Sequence, residues 1–89
     1  MKIELFKKMN YINDHFNIQF RKIYAELEKR NLIKNKSDLA HNLGTYNHVI
    51  NSILKGKRSL TTTLLLRLTR IYRVNPRFIF ENQEPIILG

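Results

Sequence analysis

Four polar side chains share one face of a short predicted helix in the middle of the chain. They lie opposite the apolar Ile50 and Ile53 if residues 47–55 are helical. An asparagine amide offers a donor and an acceptor on one edge, so it can pair with both N7 and N6 of adenine. His and Ser side chains discriminate less. The predicted base-contacting residues are Asn47, His48, Asn51 and Ser52. The alternative is a set of polar residues on a solvated helix.

Flexible cations border the same helix on both sides. Lys36 lies near the start of the preceding predicted helix, and Lys55, Lys57 and Arg58 lie at and just after the end of the predicted helix 47–55. Cations at the border of a groove contact phosphates and supply affinity without reading sequence. These four residues are therefore predicted to contact the DNA backbone, and the alternative is a solvated run of charge. For four further basic residues, a solvated position away from the groove is the alternative to a phosphate contact: Arg67, Arg70, Arg73 and Arg77.

The overall charge points to the same class of partner. Sixteen Lys and Arg residues against seven Asp and Glu residues give a formal net charge of +9. Between residues 29 and 77 there are eleven basic residues and a single acid, Asp38. Such a surface attracts phosphate through counterion release, so nucleic acid is the expected partner and affinity should fall with salt. A basic surface that only maintains solubility is the alternative.

The elements that position these side chains are two short helices joined by a tight turn. Gly44 lies where the turn requires a positive φ, and Ala40 is small where the second helix crosses the first. Four aliphatic residues are then predicted to face one shared core: Leu39, Leu43, Ile50 and Ile53. The stretch from residue 36 to residue 55 therefore predicts a helix-turn-helix. Val49, on the same helix, is predicted to reach a thymine methyl group.

The chain resembles the Cro/lambda-repressor-like (XRE) helix-turn-helix family over about residues 36–85. The matching run is KSDLAHNLGTYNHVINSILKGKR followed by LTTTLLLRLTRIYRVNPRFIFENQEP. It contains the LA and LG pairs, a helix ending in GKR, a leucine-rich helix and a short last helix. The resemblance implies that residues 47–55 form a recognition helix whose outer face contacts bases. The sequence departs from the family at Thr45-Tyr46, because Tyr46 cannot supply the usual Ser or Thr cap.

Cap residues and apolar spacing predict an all-α, lambda-repressor-like five-helix DNA-binding domain with an additional N-terminal helix. Asn13, Asp14 and Asn17 are poor residues inside a helix and good caps, so they are predicted to separate the first two helices. Asn35 with Asp38 resembles a capping box, and Thr61 and Asn75 are further predicted caps. The predicted helices are about 2–13, 17–30, 36–43, 47–55, 62–72 and 76–80.

Three regions follow from this division. Residues 1–15 are predicted to be an N-terminal helical extension available for dimerisation, residues 16–82 the helix-turn-helix domain, and residues 83–89 a C-terminal tail. The end of the tail is apolar and either folds back on the core or meets a partner; its residues are Ile86, Ile87 and Leu88.

Other classes of function find little support. The chain has no cysteine, so disulfides and thiolate metal sites are excluded. No apolar run approaches the roughly 18–20 residues of a membrane span, and charged residues interrupt any signal-peptide pattern. His15, His41 and His48 lack metal-site spacing, and no glycine-rich phosphate loop is present. We therefore expect no enzyme activity, no metal and no cofactor, and a cytoplasmic location.

The sequence thus predicts a transcriptional regulator, a repressor in the simplest case, which binds a palindromic double-stranded DNA operator as a homodimer. Two apolar surfaces could form the dimer, unless both complete the monomer core. The first is the stripe of Leu5, Met9 and Ile12, which lies outside the family resemblance and is favoured. The second comprises Phe78, Phe80, Ile86 and Ile87. The alternatives are a protein-interaction module, such as an antitoxin-like partner, and the DNA-binding half of a longer repressor.

Overall fold

The computed structural model describes the backbone of residues 2–89 and the side chains of residues 15–89. These residues form five α-helices: α1 (Lys2–Lys29), α2 (Lys36–Asn42), α3 (Asn47–Leu54), α4 (Thr62–Tyr72) and α5 (Pro76–Glu81). Within this part of the chain β pairing is limited to one isolated antiparallel bridge, between Val74 and Ile87. The all-α prediction is confirmed.

The first helix is continuous, and the prediction of two helices at about 2–13 and 17–30 is wrong. The additional N-terminal helix is therefore part of α1, which crosses the predicted boundary between residues 15 and 16 without a break. Asn17, a predicted cap, is only 2% exposed, and its side chain donates to backbone carbonyls of another segment. Because those bonds satisfy the amide, it does not compete for the backbone of its own helix.

The apolar stripe of α1 faces the core where the structure describes it. Phe20, Ile23 and Leu27 are fully buried, and Phe16 packs at the edge of the core. Full burial of one such side chain contributes about 1.5–3 kcal/mol. The earlier part of the stripe, including Leu5, Met9 and Ile12, lies outside the described side chains, as do the predicted caps Asn13 and Asp14.

Two pairs of polar residues on α1 point to different neighbours. His15 Nε2 lies 3.0 Å from the carbonyl oxygen of Ile79, and Gln19 Nε2 donates to that of Phe78 at 2.7 Å. Asn17 and Arg21, two positions further along, bind carbonyl oxygens at the end of α3. Since each pair is spaced i, i+4, each occupies one face of the helix. α1 therefore fixes α5 with one face and α3 with the next.

α2 and α3 are joined by a tight turn at the position that the sequence predicts. The four aliphatic residues predicted to share a core are all fully buried: Leu39, Leu43, Ile50 and Ile53. Gly44 adopts φ +67°, its N–H donates to the His41 carbonyl, and the Thr45 N–H donates to the Ala40 carbonyl. These two bonds form a Schellman motif, which satisfies carbonyls at the end of α2 and turns the chain sharply into α3.

The predicted caps at three helix starts are confirmed. Asn35 Oδ1 accepts from the Asp38 N–H at 3.0 Å, and Thr61 Oγ1 accepts from the Leu64 N–H at 3.2 Å. Asn75 Oδ1 accepts from the Arg77 N–H at 3.1 Å, with Pro76 in the first helical position. The Asp38 carboxylate accepts from the Lys34 N–H rather than from Asn35, so the capping box is displaced by one residue.

The C-terminal tail folds back on the domain. Ile87 is buried in the core and forms the bridge with Val74. On either side of it, the Ile86 carbonyl accepts from the Asn75 N–H and the Leu88 N–H donates to the Arg73 carbonyl, both at 2.8 Å. The apolar tail was predicted either to fold back on the core or to meet a partner, and Ile87 folds back on the core. No helix in the part of the chain that the structure describes is long and apolar enough to cross a membrane.

Candidate nucleic-acid interface

The first turns of α3 and the start of α2 enclose a shallow polar depression. Its lining residues are Lys36, Tyr46, Asn47, His48 and Asn51. The side chains of Asn47 and His48 are exposed, and that of Asn51 is half-buried. Opposite this depression, α3 buries its apolar face in the core. The structure thus brings three of the four predicted base-contacting residues together on one surface.

Two other residues of α3 that were predicted to contact bases do not line the depression. Ser52 is half-buried and is not among the residues that line the depression. Val49 is 8% exposed and belongs to the core cluster, so the prediction that it reaches a thymine methyl group is wrong. The physical reason is that the buried face of α3 is wider than the pair Ile50 and Ile53 suggested, because Val49 lies one position before Ile50 and packs beside it.

Lys36 lies within the depression and contacts a predicted base reader. Its Nζ donates a hydrogen bond to Asn51 Oδ1 at 2.8 Å, across 15 positions of sequence. An ammonium has donors and no acceptor, so this contact orients the Asn51 amide with its oxygen toward Lys36 and its NH2 group away. Lys36 therefore helps to form the polar surface itself as well as lying at its border.

Tyr46 is a further component that the sequence analysis did not assign to the site. As predicted, its side chain makes no capping hydrogen bond, and α3 begins with the Val49 and Ile50 N–H groups bonding to the Tyr46 carbonyl. Its ring is 71% exposed and stacks on the His48 ring, with centroids 5.7 Å apart and planes inclined by 13°. The sequence gives one indication of this role for Tyr46. A large aromatic residue stands at a position where a small capping residue is usual.

The carbonyl groups at the C-terminal end of α3 all have partners. Three accept from the backbone N–H groups of the following turn: those of Asn51, Ser52 and Ile53. The Ile53 carbonyl also accepts from Asn17 Nδ2 at 2.7 Å, and the Leu54 carbonyl accepts from Arg21 Nε at 2.6 Å. Four orphan carbonyls are normal at a helix end. Here two of them are bound by α1, which fixes the position of α3.

The basic residues after α3 lie on an exposed turn whose backbone is held in place. Gly56 has φ +78°, and the Lys57 N–H donates to the Ser52 carbonyl. Asn17 Nδ2 also donates to the Arg58 carbonyl at 3.0 Å. The side chains of Lys55, Lys57 and Arg58 are exposed. They are therefore free to reach solvent or a polyanion while their backbone stays fixed.

Arg67 supports the turn between α2 and α3. Its Nη1 donates to the carbonyl of Leu43 at 2.6 Å. Leu43 is the C-terminal capping residue of α2. A Cβ added at Gly44 would lie 2.9 Å from the same nitrogen. Arg67 is one of the four arginines with a predicted alternative position away from the groove, and it makes a defined structural contact at the turn.

The described residues show no arrangement typical of a metal site. No group of three or more His, Cys, Asp or Glu side chains among them is placed to hold a metal ion.

In comparisons with known proteins, no protein-family model, no curated protein and no solved structure matches this chain. The proposed role of this surface therefore follows from its own geometry and chemistry.

Proposed function

We propose that this protein is a sequence-specific DNA-binding transcriptional regulator of the lambda-repressor-like type, acting as a repressor. The observation that carries the proposal is the two-sided character of α3. One face is fully buried through Ile50 and Ile53, and the other presents amide, imidazole and ammonium groups from a shallow depression. A helix of this kind, held at the surface by a preceding helix and a tight turn, fits the major groove.

In this proposal Asn47 and His48 contact base edges at the start of α3, with Asn51 one turn later. Ser52 is a peripheral contact, since it is half-buried and does not line the depression. Tyr46 presents an exposed aromatic face at the entrance to the groove, where an apolar surface can meet a thymine methyl group. The base contacts therefore come from the N-terminal half of the helix.

Phosphate contacts come from the turn that follows α3. Lys55, Lys57 and Arg58 have exposed side chains on a turn whose backbone is bonded to α1 and α3. A fixed backbone with flexible cations can meet the phosphates that border the groove without a large ordering cost. The net charge of +9 supports the same role, because counterion release favours binding to a polyanion.

A short helix covers only a few base pairs, so specific affinity requires two copies on adjacent half-sites. We therefore propose a homodimer on a palindromic operator. The test is selection of bound sites from a random pool of duplex DNA, followed by binding measurements over a salt series. We expect enrichment of an inverted repeat with half-sites about 10–10.5 base pairs apart. Binding that never distinguishes selected from random duplexes would contradict sequence-specific regulation.

A protein-interaction role is the second candidate, and an exposed apolar groove favours it. The groove runs between α1, α4 and α5 and includes Phe16, Leu65, Leu66 and Phe80. Phe80 is 59% exposed, with its ring edge-to-face against Phe16 at 5.6 Å. Exposed aromatic clusters are typical of protein-binding surfaces. Native mass measurements with and without operator DNA separate self-association from a role that depends on another protein.

A further inference from the structure

We propose that Lys36 and Asn51 form one donor-only unit that selects guanine, so that Lys36 determines base specificity instead of serving only as a phosphate contact. This inference rests on the proposed DNA-binding function and goes beyond it. The observation is the hydrogen bond from Lys36 Nζ to Asn51 Oδ1 at 2.8 Å, within the depression at the start of α3.

The hydrogen bond changes what Asn51 presents to a base. A free asparagine pairs with adenine by accepting from N6–H2 through Oδ1 while donating to N7 through Nδ2. Here Oδ1 is engaged by an ammonium, so the outward group is the NH2 of the amide. The sequence alone favoured adenine for Asn51, because it did not reveal this partner.

Charge acts in the same direction as geometry. The ammonium of Lys36 beside the amide oxygen repels the N6–H2 donor of adenine and the N4–H2 donor of cytosine. It attracts acceptors instead, and Lys36 keeps two further N–H donors after bonding Asn51. Guanine presents two acceptors in the major groove, N7 and O6, whereas thymine presents one, O4. The base whose edge best matches adjacent donors is therefore guanine.

Lys36 is held where this role requires it. It is the first residue of α2, which the Asn35 cap and the Asp38 carboxylate fix at its start. Its side chain is half-buried against α3. A lysine whose stem packs on the recognition surface presents its ammonium to the groove floor more readily than to the outer phosphates.

The test uses the whole chain on its selected operator and starts by finding the relevant base pair. That position is the one at which Asn51→Ala loses discrimination. Duplexes carrying each of the four base pairs there are then measured with the wild type and with Lys36→Met, which keeps the length of the side chain and removes its donors. We expect the wild type to prefer guanine over adenine by at least about fivefold. Lys36→Met should abolish that preference or shift it toward adenine.

Replacing the guanine with 7-deazaguanine supplies a second readout. Removal of the N7 acceptor should weaken wild-type binding and leave Lys36→Met almost unaffected. The matched control is Lys57→Met, which should weaken all four duplexes equally and reduce the salt dependence. If Lys36→Met behaves like this control, Lys36 is a phosphate contact and the inference is overturned. If the wild type has no preferred operator at all, the proposed DNA-reading function fails, which is a distinguishable result.

Discussion

Asn17 Nδ2 lies 2.7 Å from the carbonyl oxygen of Ile53, the next-to-last residue of the candidate recognition helix. The same nitrogen donates to the Arg58 carbonyl at 3.0 Å. A single buried amide of α1 thus bonds both the end of α3 and the backbone of the basic turn after it. The buried side-chain nitrogen and oxygen atoms of the described residues all have hydrogen-bond partners, so this network is fully satisfied.

Asn17→Ala should destabilise the domain. The substitution removes both bonds and leaves the part-buried Arg58 carbonyl without this donor, at a cost of about 1–3 kcal/mol. The measurement is the midpoint and slope of a denaturant titration, with a lower midpoint at unchanged slope as the expected result. Lys22→Ala, at an exposed position of the same helix, is the control and should have little effect. An unchanged midpoint for Asn17→Ala would show that the network contributes nothing net.

Gly44→Ala should also lower stability, for a different reason. Gly44 has φ +67°, where a Cβ is strained, and non-glycine residues there cost about 1–3 kcal/mol. The added Cβ would also approach Arg67, although that guanidinium can move. Gly44→Asn is the matched variant, because Asn tolerates the left-handed region better. We expect thermal unfolding to rank glycine above Asn and Asn above Ala. Equal stability of the two variants would exclude backbone strain as the cause.

Replacement of Asn47 should separate base contacts from phosphate contacts. Asn47 is exposed at the start of α3, so Asn47→Ala should cost roughly 1–3 kcal/mol on the selected operator and little on random DNA. Lys57→Ala or Arg58→Ala should instead weaken binding to both DNAs and reduce the salt slope by about one unit each. Fluorescence anisotropy over a salt series measures both effects. If Asn47→Ala weakened binding to both DNAs by the same amount, Asn47 would have no role in sequence readout.

Deletion of residues 1–12 tests which surface forms the proposed dimer. α1 keeps its contacts with α3 and α5 from His15 onward, so we expect a folded helical monomer with weaker operator binding. Native mass and circular dichroism report the two properties. Phe80→Asp is the companion variant, because Phe80 is exposed while Phe78 and Ile87 of the alternative cluster are buried. A truncated chain that still dimerises, together with a monomeric Phe80→Asp variant, would assign the interface to the groove beside Phe16. Unfolding of the truncated chain would instead place residues 1–12 in the core.

The amino-acid sequence by itself determined the local elements from residue 35 onward. Asn35, Thr61 and Asn75 cap N–H groups only two or three positions away, and Gly44 relieves strain within its own turn. Such interactions depend on neighbouring residues, so the pattern of residue types predicts them. The burial of Leu39, Leu43, Ile50 and Ile53 follows in the same way from helical spacing.

Only the tertiary structure decided which distant partners the polar residues on the helix faces take. Asn is a residue type that often caps helices. The amide of Asn17 nevertheless donates to carbonyls 36 and 41 positions away, and α1 continues through this residue. Arg21 meets Leu54, and Lys36 meets Asn51, across intervals that no local rule connects. A polar side chain can satisfy its hydrogen bonds locally or with a distant partner at similar free energy. Which partner it takes is therefore fixed by the packing of the helices, and with it the groups that the candidate interface offers to a base.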